Sequence, residues 1–315
     1  MSDAGYAIEL SAVIVAATQG HPRVLTVRDG EAIPSGPFQP YHRTLELGLR
    51  AWVEASTHHP LGYVEQLYTF ADRDRITDAD LRTISLSYLA LTRETEGERD
   101  QGVAWSDWYL YFPWEDRRDE AANPVAEVIA PRLHAWAAEA ADAETRRTRR
   151  QRAELLFGLD GAPWNEEAAL QRYELLYQAG MIPEAVRAQS SGVGGGDAGR
   201  LLPNPGKPMV HDHRRILATG LSRLRAKIKY RPVVFELMPP TFTLLQLQQA
   251  VEALAGRRLH KQNFRRLVES QGLIEETGEQ LADTGGRPAR LVRFRREVLL
   301  QRAAAGTRLS LSRAG

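Results

Sequence analysis

The sequence predicts two folded parts of different class: a mixed α+β / α/β part with extra helices, then a helical part that ends in a two-stranded hairpin. Three observations carry that expectation. Apolar residues fall in short β-branched runs in the N-terminal third and recur at helical spacing beyond it. The stretch QSSGVGGGDAGRLLPNPGKP, Gln189 to Pro208, is dense in Gly, Ser and Pro, lacks an apolar period and reads as a flexible linker. Charge divides there too: Leu201–Gly315 holds 21 Lys and Arg against 9 Asp and Glu, a net of +12, while the first 200 residues hold 20 against 31, a net of −11. The expected organisation is therefore a domain over 1–188, a linker over 189–208 and a second domain over 209–315.

Composition bounds the function. A chain of 315 residues with 43% hydrophobic content has material for about two cores. With no cysteine, disulfides, Cys-ligated zinc, iron–sulfur clusters and thiol catalysis are excluded. There is no apolar run of membrane-spanning length, and MSDAGYAIEL lacks the basic-then-apolar order of a secretion signal. A cytoplasmic protein without a membrane partner is expected. The charge division suggests two modules with different partners, one of them a polyanion; clustering on solvated faces gives the same count.

The first part opens with strands, YAIELSAVIVAAT and then RVLTVRD after the turn at Gly20 to Pro22. YHRTLELGLRAWVEA follows as a helix, with Leu45, Leu49, Trp52 and Val53 at helical spacing. GYVEQLYTF and TISLSYLAL read as strands, and WSDWYLYFPW as aromatic and extended. Helices are expected around Val125 to Ala141, Glu144 to Phe157 and Asn165 to Gln178. The run Glu144 to Arg152 is basic, a solvated face or an anion contact. The run Gly192 to Gly196 is no phosphate loop, because no strand precedes it and no GK[ST] follows.

The second part begins with HDHRRILATGLSRLRAKIKY as one helix, with Asp212 placed to cap it. Leu217, Leu221, Leu224 and Ile228 form a seam that suits either a partner helix or a core. Arg214, Arg215, Arg223, Arg225, Lys227 and Lys229 crowd the same helix and raise its field. VVFEL reads as a short strand. The second helix runs from the Pro-Pro-Thr start to Gly256, and HKQNFRRLVESQG is the third, stopped at Gly272. LIEETGEQ and ARLVRFRRE are strands about the tip DTGGRP.

Helix, strand, helix, short turn, helix and hairpin is the order of a winged helix-turn-helix, which reads double-stranded DNA. In the third helix, Phe264, Leu267 and Val268 form the anchoring side, while His260, Lys261, Gln262, Arg265 and Arg266 supply donors. Arg and Lys suit guanine O6 and N7, and Gln or Asn suits adenine. Asn263 either reads DNA or holds the turn and core. Of Arg265 and Arg266, one reads a base and the other meets phosphate or solvent. Arg287, between Gly286 and Pro288, serves a minor-groove or backbone contact, or solubility alone.

The stretch from Asp212 to Glu279, followed by GGRPARLVRFR, resembles the C-terminal domain of the Nudix-related transcriptional regulators, the NrtR-type family. The Asp-His start, the Phe-Thr-Leu stretch, the Asn-Phe-Arg-Arg helix and the Gly-Arg-Pro-Ala wing carry the resemblance. It implies an N-terminal Nudix-like α/β/α sandwich that senses an adenine nucleotide, a homodimer on a palindromic operator, and repression of NAD biosynthesis or salvage genes. Against the box G-x5-E-x7-R-E-U-x-E-E-x-G-U, the stretch from Gly36 to His58 matches at Gly36, Arg50, Trp52 and Glu54. His42, Ala51, Ala55 and Thr57 depart from it. Mg²⁺ requires clustered oxygen ligands, which Ala51 and Ala55 do not offer. No catalytic residue and no bound metal are therefore expected, and no cofactor is required. An active Nudix pyrophosphohydrolase fused to a DNA-binding domain is the alternative. Glu54 reads as a Glu paired with Arg50 or as a ligand beside Glu46.

The Nudix-like cleft implies phosphate donors among Arg28, Arg43, Arg50 and Arg73. Base-stacking rings are sought among Tyr63, Tyr68, Trp105, Trp108, Tyr109 and Tyr111, with Tyr68 and Trp108 preferred. The long segment from Gly97 to Ala188, with FPWEDRRDE, is similar to the alphaproteobacterial NAD-regulator subgroup called NadQ. That likeness implies NAD or ATP as effector, where the wider family implies ADP-ribose.

Overall fold

Thirteen residues of alternating character, Tyr6–Thr18, form strand β1 of a computed structural model. The structure describes residues 6–57, 61–71, 82–94, 102–190, 198–281, 288–295 and 297. Around β1 lie β2 (His21–Thr26), β3 (Ser35–Pro37), β4 (Tyr63–Phe70), β5 (Arg82–Leu91) and β6 (Ala104–Asp107). The sheet order is β4-β5-β1-β2-β6, with β3 also on β1; β1 runs parallel to β5 and antiparallel to β2 and β3.

The period of two along β1 gives the sheet two buried faces. Leu10, Ala12, Ile14 and Ala16 share one core with Leu49 and Val53 of helix α1 (Leu45–Thr57). The expected helix over 41–55 thus starts later, where the Thr44 hydroxyl accepts from the Leu47 N–H at 3.2 Å. Val13 points to the other face. There it meets Gly220 of helix α6 (His213–Tyr230) so closely that a β-carbon on Gly220 would lie 2.8 Å from Val13 Cγ1. A helix on each face makes an α/β/α sandwich.

Between β6 and α6 the chain builds a helical block. It contains α2 (Ala130–Ala138), α3 (Ala143–Phe157), α4 (Ala169–Gln178) and α5 (Pro183–Ser190), with single helical turns between them. The first three agree with the sequence pattern; α5 was not foreseen. WSDWYLYFPW is extended only to Asp107, and tight helical turns at Trp108–Leu110 and Pro113–Glu115 follow. Asp107 caps the first of these by accepting from the Tyr109 N–H at 2.8 Å. VVFEL is likewise a helical turn, Val233–Leu237, rather than a strand. Pro232 fixes φ ahead of it, and the Phe235 N–H reaches the Pro232 carbonyl at 3.3 Å.

The chain divides into two units: Met1–Leu237 with Ala250–Arg258, and Met238–Gln249 with Leu259–Gly315. The basic helix α6, read from sequence as part of the C-terminal module, belongs to the first unit. Its seam residues Leu217, Leu221 and Leu224 are buried there, as are Arg214 and Arg225. Asp212 stands at its start but makes no side-chain capping bond. Of the expected linker, residues 191–197 lie outside the described residues. Beyond them the chain is packed: Leu202 and Met209 are buried, and the Lys207 N–H donates to the Leu110 carbonyl at 2.7 Å.

One buried ion cluster explains how the block is held. The Glu115 carboxylate meets Arg172 of α4 through both oxygens, at 2.5 and 2.8 Å, and also pairs with Arg225 of α6. Burial pushes the Glu115 pKa up, but the two guanidiniums outweigh it and hold it below the ordinary value. Arg172 also lies over the Trp164 ring at 3.8 Å. A second buried pair joins Arg214 to Glu184 at 3.0 Å. Further along α6, Arg215 pairs with Glu174, Lys227 with Glu65 and Lys229 with Glu167. The positive charge of α6 is therefore balanced by acids of its own unit. Among the described residues no helix is long and apolar enough to cross a membrane.

Candidate nucleic-acid interface

The second unit is built from a short strand, two helices and a hairpin. Phe242–Thr243 forms β7, and α7 follows directly over Leu244–Ala255, its second half counted with the first unit. Thr243 and Gln246 cap α7 reciprocally: the Gln246 N–H donates to the Thr243 hydroxyl at 3.1 Å, and the Thr243 N–H donates to the Gln246 side chain at 2.7 Å. α8 (Lys261–Ser270) leads into β8 (Ile274–Leu281) and β9 (Ala289–Phe294). β7 pairs with β9, giving a three-stranded sheet where sequence foresaw two strands.

α8 has two faces. Val268 is buried and Phe264 half-buried, so these two anchor the helix. Lys261, Arg265 and Glu269 turn toward the hairpin, lining with Phe264, Ile274 and Arg290 a groove of about 1050 Å³. Arg265 is tied within it to Glu269 at 3.0 Å. The opposite face presents Gln262, Asn263 and Arg266, all exposed. Asn263 thus faces solvent, not the core. His260 is exposed and occupies the N-cap without a side-chain capping bond. Leu267, expected in the anchor, is 55% exposed instead. It lies one turn after Phe264, at the open margin of the anchoring side. Arg287 falls outside the described residues.

In the first unit the sequence candidates do not converge. Trp108 is fully buried and offers no ring face to a ligand. Trp105, Tyr109 and Tyr111 are also buried; Tyr109 donates to the Ala253 carbonyl at 2.6 Å, and burial pushes its pKa up to about 12. Tyr68 stands 63% exposed on the edge strand β4. Arg28 is exposed in the left-handed turn after β2, and Arg43 just ahead of α1. β5 and β1 separate β4 from β2, so Tyr68 and the Arg28 turn are about 14 Å apart at ordinary strand spacing. Arg73 lies outside the described residues.

Arg50 is committed elsewhere. Its guanidinium donates to Glu46 at 3.0 Å and to the carbonyls of Leu61 and Gly62 at 2.7 and 3.1 Å. The ion pair that sequence offered between Arg50 and Glu54 is made with Glu46, and Glu54 is exposed. His42 accepts from the Gln39 N–H at 3.1 Å and lies against Phe38 and Tyr41. Among the described residues no group of three His, Asp or Glu is placed to hold a metal ion.

Helix α8, its outward polar face and the β7-β9-β8 sheet together make a winged helix. Residues 234–294 match the NrtR DNA-binding winged helix domain. A curated relative, the ADPR responsive transcriptional repressor NtrR of Acinetobacter baylyi, is 41% identical over 86 residues. That match covers 27% of this chain and about a third, 34%, of the relative's length. Among solved structures, Shewanella oneidensis NrtR complexed with a 27mer DNA aligns over 92% of this chain and 94% of its own, with TM-score 0.51 and 18% identity. A MutT/nudix family protein from Enterococcus faecalis aligns over 92% and 87%, with TM-score 0.52 and 14% identity. At that identity the two structures show the fold: a mixed α/β sheet domain followed by a winged helix.

The NrtR-type winged helix was legible because its start, stop and turn residues are local. The faces of α8 were less so. Arg265 and Arg266 are adjacent in sequence, and the pairing of Arg265 with Glu269 one turn on distinguishes the paired one from the outward one. The second unit also carries less charge than the sequence division suggested: 11 Lys and Arg against 6 Asp and Glu over Met238–Gln249 and Leu259–Gly315.

Proposed function

We propose that this chain is a DNA-binding transcriptional repressor of the NrtR type, controlled by an adenine nucleotide bound to its α/β/α domain. The observation that carries the reading is the outward face of α8, Gln262, Asn263 and Arg266, on a domain that matches a DNA-binding family model. His260 and Lys261 stand at the start of the same helix; with Arg265 and Arg287 they add backbone contacts. The repressor binds as a homodimer to a palindromic operator near NAD-synthesis or salvage genes. Its recognition helices read half-sites a whole number of helical turns apart.

The curated relative is named as ADPR responsive, which puts ADP-ribose first among effectors. The helical block between β6 and α6 favours the NadQ-like subgroup, for which NAD or ATP would serve. Arg28, Arg43 and Tyr68 are the exposed candidates for nucleotide contact. Whichever nucleotide acts must bind the DNA-competent and incompetent states unequally.

The box helix does not suit a hydrolytic metal. Ala51 and Ala55 have no ligand atoms, and Glu46 is paired with Arg50. The domain therefore binds a nucleotide without cleaving it. A mobility shift on the protein's own upstream region, repeated with ADP-ribose, NAD and ATP, tests the reading. A retarded band altered by one nucleotide supports it. The same mobility with random competitor at physiological salt would overturn it. Steady Mg²⁺-dependent release of product from ADP-ribose would favour the hydrolase instead.

A further inference from the structure

We propose that Leu267 reads the 5-methyl group of a thymine and so helps to set operator specificity. The proposal rests on the DNA-binding reading above and deepens it. α8 turns Lys261, Phe264, Arg265 and Glu269 into the hairpin groove and buries Val268. The remaining outward residues are Gln262, Asn263, Arg266, Leu267 and Ser270, all exposed. Leu267 is the single large apolar side chain among them.

The anchor does not need it, since Phe264 and Val268 already hold the helix one turn apart. It also takes no part in lining the hairpin groove. Asn263 lies one turn before it on the same face, between it and the outward Arg266, while Phe264 borders it on the anchoring side. The Ser270 hydroxyl turns back to the Leu267 carbonyl at 2.8 Å, satisfied on its own helix. Leu267 is thus framed by groups that suit base edges and phosphate. Base edges in the major groove are polar except at the thymine methyl, the one group there that gains from contact with an apolar side chain. Withdrawing both from water is favourable by the usual apolar transfer.

The test uses the full chain and a duplex that it selects from a random-sequence library. Each thymine of the selected duplex is replaced in turn by deoxyuridine, which deletes only the methyl. At one thymine per half-site, wild-type affinity is expected to fall about fourfold, the effect of one buried carbon. Leu267→Ala should bind the thymine and uracil duplexes equally, and Leu267→Met should restore the difference. The melting temperature of each variant checks folding. Three results would overturn the inference: wild type indifferent to every replacement, Leu267→Ala retaining full sensitivity, or Leu267→Ala changing the oligomeric state and so marking a contact between copies. Failure to select any duplex would instead sink the DNA-binding reading and this inference with it.

Discussion

The indole of Trp52 lies directly against the α-carbon of Gly36. Gly36 sits in β3, opposite Leu10 of β1, and Trp52 on the face of α1 that covers that edge. A β-carbon on Gly36 would overlap the Trp52 indole, so the ring or the backbone would have to shift. Two of the four residues that match the Nudix box are therefore explained by packing alone. They seat the box helix on the sheet whether or not the box performs chemistry.

Gly36→Ala should accordingly destabilise the first unit by about 1–3 kcal/mol, the usual cost of forcing an atom into a packed site. Chemical denaturation followed by tryptophan fluorescence measures it. An unchanged midpoint would mean that α1 can lift from β3 without loss.

Glu115→Gln should cost about 3–5 kcal/mol, because it leaves Arg172 and Arg225 buried without their counter-charge. The same residue gives a pH dependence. Its folded pKa lies below the unfolded one, so its contribution is complete above the ordinary value of 4.5 and is lost as pH falls through the folded value. Denaturation midpoints taken from neutral pH down into the acid range should fall for wild type. The decline should be shallower in Glu115→Gln.

Arg266→Ala should weaken operator binding tenfold or more, while Arg265→Ala, already paired with Glu269, has the smaller effect. Titrations at several salt concentrations separate base reading from phosphate contact. A phosphate contact removes about one from the salt slope, whereas a base contact changes affinity at all salts alike. Equal effects of the two substitutions would refute the division of α8 into two faces.

Arg50→Met should lower stability by about 1 kcal/mol, because two of its hydrogen bonds join α1 to the segment before β4 and a third ties it to Glu46 within α1. The thermal midpoint reads this directly. A variant as stable as wild type would free Arg50 for a ligand and contradict its tie to Leu61 and Gly62.

The longer strands and most helices followed from local pattern, since β1, α1, α7 and α8 each carry their own period. What sequence could not show is long-range. Nothing local assigns α6 to the sheet rather than to the winged helix; Gly220 against Val13 and Arg225 against Glu115 decide it. Trp108 looked like a ligand residue because an aromatic run gives no sign of which rings are inside. Arg50 looked like a phosphate donor because its acceptors are backbone carbonyls more than ten residues away, invisible in side-chain chemistry. The charge division misled for the same reason: Arg214, Arg215 and Lys227 answer acids far earlier in the chain.

The first unit is not complete until its last pieces arrive. β6 ends at Asp107, yet α6 covers the sheet from residue 213, and the end of α7 must still dock. There the Ala253 and Leu254 carbonyls accept from Tyr109 and Arg225, and the Gly256 carbonyl from the Arg117 N–H. On the ribosome, some 150 residues separate these events, a delay of roughly 10–30 s. Until α6 is made, the face of β1 and β5 that it covers stands open on the nascent chain. The first unit therefore closes only after Met238–Gln249 of the second has been made, and a chain truncated before α6 would be left with an exposed, aggregation-prone sheet.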